Sequence, residues 1–361
     1  MTKTFATTIT LGLLILTACN DDDEKSTIGY SGKDISSQIE IIRDTETKKT
    51  VLNVSTDHSW TLYAGSSFTD INPETPFLKG KGKGSFELDV DAKKRSAFQF
   101  QTDEGQILVA EKRLPIKGGY NFRDLGGIKN KDNKFIKWGK LFRTDEMSKL
   151  TEDDADYIAS TGLKTVIDFR SAGEIEGGVT SMIPPSPDIL PNTVKNAYNL
   201  PINAGNIFSD EIMNRIRAGA TSDKLAQVMI DSYVEMVTLE EYISVFKQFF
   251  AYLQDDSNLP LSFHCSGGKD RVGVATMLIL SALDVDKETI IKDYLLSRQY
   301  ITGKYAKYLV AIPAIAPLVT VEQEYLEAAF NKIDEKYGSI EKFLTETLNV
   351  DIQKMQELYL Y

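Results

Sequence analysis

The segment that decides the fold is 260–271, which reads PLSFHCSGGKDR. Its apolar first half predicts a buried strand, and an apolar helical pattern begins near Arg271. The two glycines allow the connecting loop to curl so that successive backbone N–H groups point into one concavity. The helix N-terminus adds partial positive charge there. This strand–loop–helix unit therefore predicts a site for a tetrahedral anion such as phosphate.

The same segment carries the pattern His-Cys-x-x-Gly-x-x-Arg, which supplies a nucleophile and a phosphate clamp. Positive potential at a helix N-terminus favours the thiolate form of Cys265, which is its nucleophilic form. Arg271 can bind two phosphate oxygens with its guanidinium group. We therefore expect Cys265 to form a phosphocysteine that water then hydrolyses. The phosphate-binding residues predicted from the loop are Ser266, Gly267, Gly268, Lys269, Asp270 and Arg271.

Departure of the leaving group requires a general acid, and two aspartates are candidates. Asp168 follows the predicted strand 165–167, and the carboxyl ends of parallel strands meet at one ligand crevice. The alternative role of Asp168 is to pair with Arg170 or to cap a turn. Asp270 is the second candidate, because it already lies in the loop. The sequence favours Asp168 and leaves Asp270 open.

The composition and the motif also bear on cofactors and partners. The formal net charge of −11 argues against a general nucleic-acid partner, which would need an excess of Lys and Arg. Adjacent strand residues point to opposite faces, so His264 and Cys265 are poorly placed to share a metal ion. A nucleotide-binding loop also fits poorly, because Asp270 stands where Ser or Thr is required. We expect neither a metal nor another cofactor.

The pattern of apolar residues predicts two domains. Residues 41–115 alternate with a period of two between turn-rich connections, which is typical of a small all-β sandwich. Residues 116–361 alternate strands with helices, including a helical pattern at 288–297, and predict an α/β domain with a mainly parallel sheet. The β-domain has no titratable cluster, so its expected role is spacing or partner contact. A carbohydrate-binding module remains an alternative.

Residues 1–19 are a predicted lipoprotein signal peptide. The apolar run 9–16 is shorter than the ~20 residues that span a bilayer. Leu16-Thr17-Ala18-Cys19 then resembles the lipobox of bacterial lipoproteins, with an ordinary secretory signal as the alternative. Residues 20–40 form an acidic and polar tether. We therefore expect an extracytoplasmic protein, anchored through Cys19 to a bacterial membrane, on the periplasmic or surface face of the outer membrane.

Four segments of the second domain resemble the bacterial tyrosine/serine phosphatases related to the secreted phosphatase B of mycobacteria and the Listeria lipid phosphatases. These segments are 121–127 (NFRDLGG), 166–171 (VIDFRS) with Glu174, 264–273 (HCSGGKDRVG) and 293–297 (DYLLS). The resemblance implies a cysteine-phosphatase fold with Cys265 as nucleophile, Arg271 as phosphate binder and Asp168 as general acid. It also implies a helical lid over the pocket, at about 207–236.

The resemblance also implies a substrate class, a phosphorylated protein. The expected activity is on phosphotyrosine, with phosphoserine and phosphothreonine as further substrates. The Lys269–Asp270 pair matches one that accompanies tolerance for phosphoinositides, so an inositol-phosphate or phosphoinositide phosphatase is the alternative. A third interpretation is a surface lipoprotein that acts by binding and whose phosphatase site is inactive. Val272 stands where many such phosphatases carry Ser or Thr, which predicts slower breakdown of the phosphocysteine.

Overall fold

The structure is a computed structural model that describes residues 28–177, 185–204 and 210–361. The predicted signal peptide at 1–19 lies outside these ranges, as do residues 20–27 of the predicted tether and 207–209 of the predicted lid. Within the described ranges the chain forms three sheets and eleven α-helices.

Two antiparallel sheets make up the N-terminal part of the described chain. Their strands are β1 Ser31–Gly32, β2 Ile39–Arg43, β3 Thr50–Val54, β4 Ser59–Gly65, β5 Leu78–Lys81, β6 Gly84–Leu88, β7 Ala97–Thr102 and β8 Gly105–Val109. The order is β1-β8-β7-β4-β5 in one sheet and β2-β3-β6 in the other. Buried residues alternate with more exposed ones along β2 and β3, as expected of strands with one covered face. Inward residues of both sheets share one hydrophobic cluster, which includes Ile41, Leu52, Leu62 and Phe98.

The N-terminal strands begin before the domain boundary predicted at residue 41. β1 lies within the segment predicted to be tether, and Ile35 and Ile39 are buried in the cluster shared by the two sheets. Polar residues surround these two isoleucines in sequence, so the segment has the composition of a tether. The side chains that bury Ile35 and Ile39 lie on strands that are distant in sequence.

The third sheet has the order β12-β11-β13-β10-β9. Its strands are β9 Arg123–Asp124, β10 Leu141–Thr144, β11 Thr165–Asp168, β12 Asn196–Asn199 and β13 Leu261–His264. All neighbours are parallel except β9, which pairs antiparallel with β10. The alternation of strands and helices therefore produces the α/β arrangement that the sequence predicted.

Helices cover this sheet. They are α1 Glu152–Ala159, α2 Ala172–Glu176, α3 Asp210–Arg217, α4 Ser222–Met236, α5 Glu240–Leu253, α6 Arg271–Ala282, α7 Lys287–Ala311, α8 Ala316–Val319, α9 Gln323–Tyr337, α10 Ile340–Lys342 and α11 Ile352–Tyr359. Nearly every residue of α6 is buried, as expected of a helix that is apolar on all sides. The helix predicted at 288–297 is longer in the structure, because α7 continues to Ala311.

Candidate active site

The predicted nucleophile and the predicted acid lie at the same edge of the parallel sheet. β11 and β13 are neighbours, and their register pairs Asp168 with His264. Cys265 follows β13 directly, and α6 begins at Arg271. The strand–loop–helix unit expected from the sequence is therefore present. The carboxyl ends of adjacent parallel strands bring Asp168 beside it.

The loop between β13 and α6 is held from outside through its carbonyl oxygens. The Ser266 carbonyl accepts a hydrogen bond from Lys304 Nζ at 2.5 Å. The Gly268 carbonyl accepts one from Asn121 Nδ2 at 2.8 Å and one from Arg143 at 3.0 Å. Asn121 also reaches the carbonyl before it, at 3.2 Å. Three consecutive carbonyls are thus bound by side chains outside the loop.

The amide groups of the loop face the opposite way. In a planar trans peptide the N–H points away from the C=O, so outward carbonyls at 266–268 turn the amides of 267–269 inward. Within the described ranges, the backbone amides of 266–271 donate no hydrogen bond to the protein. Convergent amides without protein acceptors are the geometry of an anion-binding nest.

Gly268 is required by the shape of this loop. Its φ of +61° lies in the left-handed region. A Cβ at this position would lie 2.4 Å from the carbonyl oxygen of Thr144, at the end of β10. The second loop glycine therefore combines a positive φ with a close approach to the neighbouring strand.

Arg271 is fixed beside the loop by Glu174. The two carboxylate oxygens of Glu174 accept hydrogen bonds from the two terminal nitrogens of Arg271, each at 2.8 Å. Glu174 also accepts from the Ser266 hydroxyl, at 2.6 Å. Burial alone would raise the pKa of Glu174, but Arg271 and these hydrogen bonds lower it to about 2. Arg271 Nε is buried without a partner in the described chain, which leaves this donor available to a phosphate oxygen.

Cys265 lies next to this guanidinium group. Burial would lower the pKa of Arg271, but the charges of Glu174 and Cys265 outweigh it and raise the pKa. Burial raises the pKa of Tyr305, Lys304 opposes this rise, and Cys265 adds to it. Cys265 therefore lies near the start of α6 and the second half of α7, and the residue is only 2% exposed.

Asp168 forms a two-point ion pair with Arg170. Its Oδ2 accepts a hydrogen bond from a terminal nitrogen of Arg170 at 2.8 Å, and both of its oxygens lie 3.0 Å from Arg170 Nε. The same guanidinium binds Asp188 at 2.7 Å. The pairing of Asp168 with Arg170, which was the alternative role considered for this aspartate, is therefore present.

His264 is buried between these two carboxylates. Its Nε2 lies 3.1 Å from Asp188 Oδ2, and its Nδ1 lies 3.8 Å from Asp168 Oδ1. Burial alone would lower the pKa of His264, but Asp168 and Asp188 raise it. One ligand atom from each of the three residues lies within 4.8 Å of the others, which is close enough for a metal site. Arg170 already binds both carboxylates, so a further cation fits this cluster poorly.

Asp270 is bonded on both carboxylate oxygens. The hydroxyl of Tyr233, in α4, donates to Oδ1 at 2.8 Å. Lys269 Nζ donates to Oδ2 at 2.6 Å, and both loop side chains are buried. The charges of Lys269 and Asp270 therefore neutralise each other. The hydrogen bond from the Tyr233 hydroxyl connects α4 to the loop.

A buried ionic network supports the residues that hold the loop. Asp293 Oδ2 lies 2.9 Å from Arg143 and 3.3 Å from Arg123. Burial would raise the pKa of Asp293, but the two arginines hold it well below the usual range of a carboxyl group. Arg123 in turn donates a short hydrogen bond to Asn121 Oδ1. The network therefore links the segment 121–127 to the loop carbonyls.

Residues 114–361 match the sequence pattern that defines the tyrosine phosphatase family. The chain belongs to the tyrosine phosphatase family. It is therefore an enzyme of the phosphatase class, as the resemblance of the four segments predicted. Like the resemblance, the match leaves the N-terminal sheets outside the phosphatase domain.

Two similar proteins cover most of the phosphatase domain. A protein of Cupriavidus necator whose name places it among the tyrosine-protein phosphatases is 30% identical over 248 residues, which are 66% of this chain and 85% of that protein. The triple specificity protein phosphatase PtpB of Mycobacterium tuberculosis is 26% identical over 268 residues, covering 66% of this chain and 94% of that protein. A tyrosine-protein phosphatase of Nostoc commune is 28% identical over 169 residues, covering 45% of this chain and 49% of that protein.

Several residues around the phosphatase loop have no role predicted from sequence. Glu174 carries one visible signal, since Ser171-x-x-Glu174 is a capping-box pattern, and the structure has that capping box at the start of α2. Arg143 and Lys304 lie far from the loop in sequence and in no motif around it. Their contacts arise only when β10 and the second half of α7 pack beside the loop.

The described part of this phosphatase contains no helix that combines the length and the apolar character needed to cross a membrane.

Proposed function

We propose that the chain hydrolyses phosphomonoesters through a phosphocysteine intermediate. The observation that carries the proposal is the loop 265–271, whose inward amides lie beside Cys265 and an arginine that Glu174 holds at two points. Amides and a guanidinium group in a buried site stabilise the charge that develops on a transferring phosphoryl group. Cys265 supplies the sulfur that attacks phosphorus.

The proposed reaction has two steps. The Cys265 thiolate attacks phosphorus, an S–P bond forms, and the P–O bond to the leaving group breaks while an acid supplies a proton to that oxygen. Water then attacks the phosphocysteine and gives a proton to the carboxylate that acted as the acid in the first step. The S–P bond breaks, and the sulfur leaves as a thiolate with inorganic phosphate as product. Arg271 Nε and the inward amides bind the non-bridging oxygens in both steps.

Asp168 remains the proposed general acid, with Asp270 as the alternative. Asp168 lies at the edge of the sheet where Cys265 lies, but Arg170 holds both of its carboxylate oxygens. Asp270 lies in the loop, but Lys269 and Tyr233 hold its two carboxylate oxygens. Each aspartate thus needs its cationic partner to move or to be compensated before it can donate a proton.

Substrates with different leaving groups distinguish Asp168 from Asp270 as the general acid. We expect Asp168→Asn to lower kcat on phosphotyrosine by about 10²–10⁴-fold and to have little effect on dinitrophenyl phosphate, because a good leaving group departs without a proton. The basic limb of the pH profile of kcat should also disappear. Asp270→Asn is the matched substitution. If it shows this leaving-group dependence and Asp168→Asn does not, the acid is Asp270.

The proposed substrate class is phosphorylated protein, with phosphotyrosine first. The mycobacterial relative is named a triple specificity protein phosphatase, which supports phosphoserine and phosphothreonine as further substrates. Inositol phosphates remain the alternative because Lys269 adds a cation at the pocket. Its ion pair with Asp270 argues against a dominant role for that cation.

A substrate panel tests the proposal. Phosphotyrosyl, phosphoseryl and phosphothreonyl peptides and inositol phosphates are compared by kcat/KM on the full-length chain, with vanadate as inhibitor and with EDTA present. We expect vanadate-sensitive activity that is highest on the phosphotyrosyl peptide and unchanged by EDTA. If no phosphomonoester is hydrolysed, the chain is a surface binding lipoprotein with an idle site. Loss of activity in EDTA would contradict the metal-free mechanism.

The proposal extends to the parts of the chain around the site. We propose that the two N-terminal sheets form a β-sandwich domain and that the segment 207–236 forms a lid. The contact of Tyr233 with Asp270 supports a lid that reaches the loop. We also propose that Cys19 is lipidated and anchors the protein on the outer membrane, as the lipobox-like sequence predicts.

A further inference from the structure

A cavity of about 530 Å³ lies where the N-terminal sheets meet the phosphatase domain. β2 and β8 line one side of it, and Phe135, Trp138 and two residues of α7 line the other. No residue of the loop 265–271 lines this cavity. Cavities of ~300–1,000 Å³ at domain boundaries are the usual size and place of small-molecule sites.

Three cations line this cavity: Arg43, Lys112 and Arg113. Arg43 lies 3.7 Å from Glu111, and Arg113 lies over the ring of Tyr300. The cation assigned to the ligand is Lys112. Its ammonium group has no hydrogen-bond or ion-pair partner among the described residues, although the side chain is partly buried. Burial lowers the pKa of Lys112, and the attraction of Asp293 offsets this only in part. Asp293 is already shared by Arg123 and Arg143. An anion bound in the cavity would therefore give Lys112 the partner that the protein does not supply.

Much of the remaining lining is apolar, which fits a molecule that carries an apolar body beside its anionic group. Ile41, Leu108 and Trp138 line the cavity, and the Trp138 indole N–H is already bonded to the Leu108 carbonyl at 3.1 Å. Glu40 and Asp44 also line the cavity, but both are exposed to solvent. Asp44 accepts hydrogen bonds from the amides of its own turn. The buried side is therefore apolar and positive, whereas the acidic groups lie towards solvent.

We propose that this cavity binds a small amphipathic anion, with its anionic group at Lys112 and its apolar body beside Trp138. The apolar body would gain from leaving water, and the anion would gain a charge-assisted hydrogen bond. This site is separate from the phosphate loop, and the proposal does not depend on the phosphatase mechanism.

The test uses 4-phenylbutyrate as the probe and the tryptophan fluorescence of the full-length chain as the signal. The chain has two tryptophans. Trp60 packs against Phe86 and Phe100 in the N-terminal cluster, whereas Trp138 lines the cavity. We expect a saturable fluorescence change that Trp138→Phe abolishes, while binding measured by calorimetry persists in that variant. The neutral amide, 4-phenylbutyramide, should bind at least about tenfold more weakly because it cannot pair with the ammonium group.

Lys112→Met removes the charge, and Met keeps the unbranched shape and most of the length of the side chain. We expect this variant to bind 4-phenylbutyrate at least about tenfold more weakly and to lose the preference over the amide. Lys93→Met, on an exposed lysine that does not line the cavity, is the matched control and should bind like the unsubstituted chain. The absence of saturable binding, or equal affinity for acid and amide in the unsubstituted chain, would overturn the proposal. The comparison of acid and amide stands even if Lys112→Met folds poorly.

Discussion

Replacing Cys265 by Ser is expected to lower kcat on an aryl phosphate by at least about 10⁴-fold and to leave KM nearly unchanged. Serine has almost the same size, so the contacts of Lys304, Asn121 and Arg143 with the loop carbonyls should persist. Phosphate binding by the loop amides and Arg271 should persist as well. The hydroxyl group is not ionised near neutral pH and cannot form the phosphocysteine.

Cys19→Ser is the matched control for this variant. It makes the same substitution at the other cysteine of the chain, which lies in the predicted signal peptide. Its kcat should equal that of the unsubstituted protein when both are purified and assayed at equal concentration. A Cys265→Ser protein that retained more than about one hundredth of the original kcat would contradict the covalent route.

Replacing Glu174 by Gln should reduce both stability and activity. Ionised Glu174 neutralises Arg271 in a buried site, and Gln has the same shape without the charge. The pKa of about 2 in the folded state, against 4.5 in the unfolded chain, corresponds to about 3 kcal/mol of unfolding free energy at neutral pH. A displaced guanidinium should also lower kcat/KM by about 10²-fold. Denaturant unfolding and steady-state kinetics measure the two effects.

The stability difference between the original protein and Glu174→Gln should decrease as the pH falls. A depressed carboxyl pKa contributes stability above the unfolded value, and this contribution disappears as pH falls through the folded value. The gap between the original protein and Glu174→Gln should therefore be full above about pH 5 and should close as the pH approaches about 2. Glu176→Gln, in the same helix but exposed, should be neutral in both measurements. Equal losses in the two variants would exclude the ion pair as the cause.

The sequence alone was sufficient to predict the local unit at 260–271. A strand, two glycines and a helix that begins at Arg271 follow from residue types at short spacing, because neighbours in sequence determine local conformation. The α/β class was also predictable, since the alternation of strands and helices constrains connections. The site roles of Cys265, Arg271 and Asp168 remain predictions to be tested by the substitutions above.

Only the tertiary structure showed what surrounds that unit. Glu174 reaches Arg271 because α2 packs against the loop, and Lys304 reaches the Ser266 carbonyl because α7 continues beyond the segment predicted from its pattern. The cluster that Asp168, Asp188 and His264 form around Arg170 likewise depends on chain segments far apart in sequence. The physical reason is that burial and charge pairing are set by distance in space, which a single sequence determines only through the complete fold.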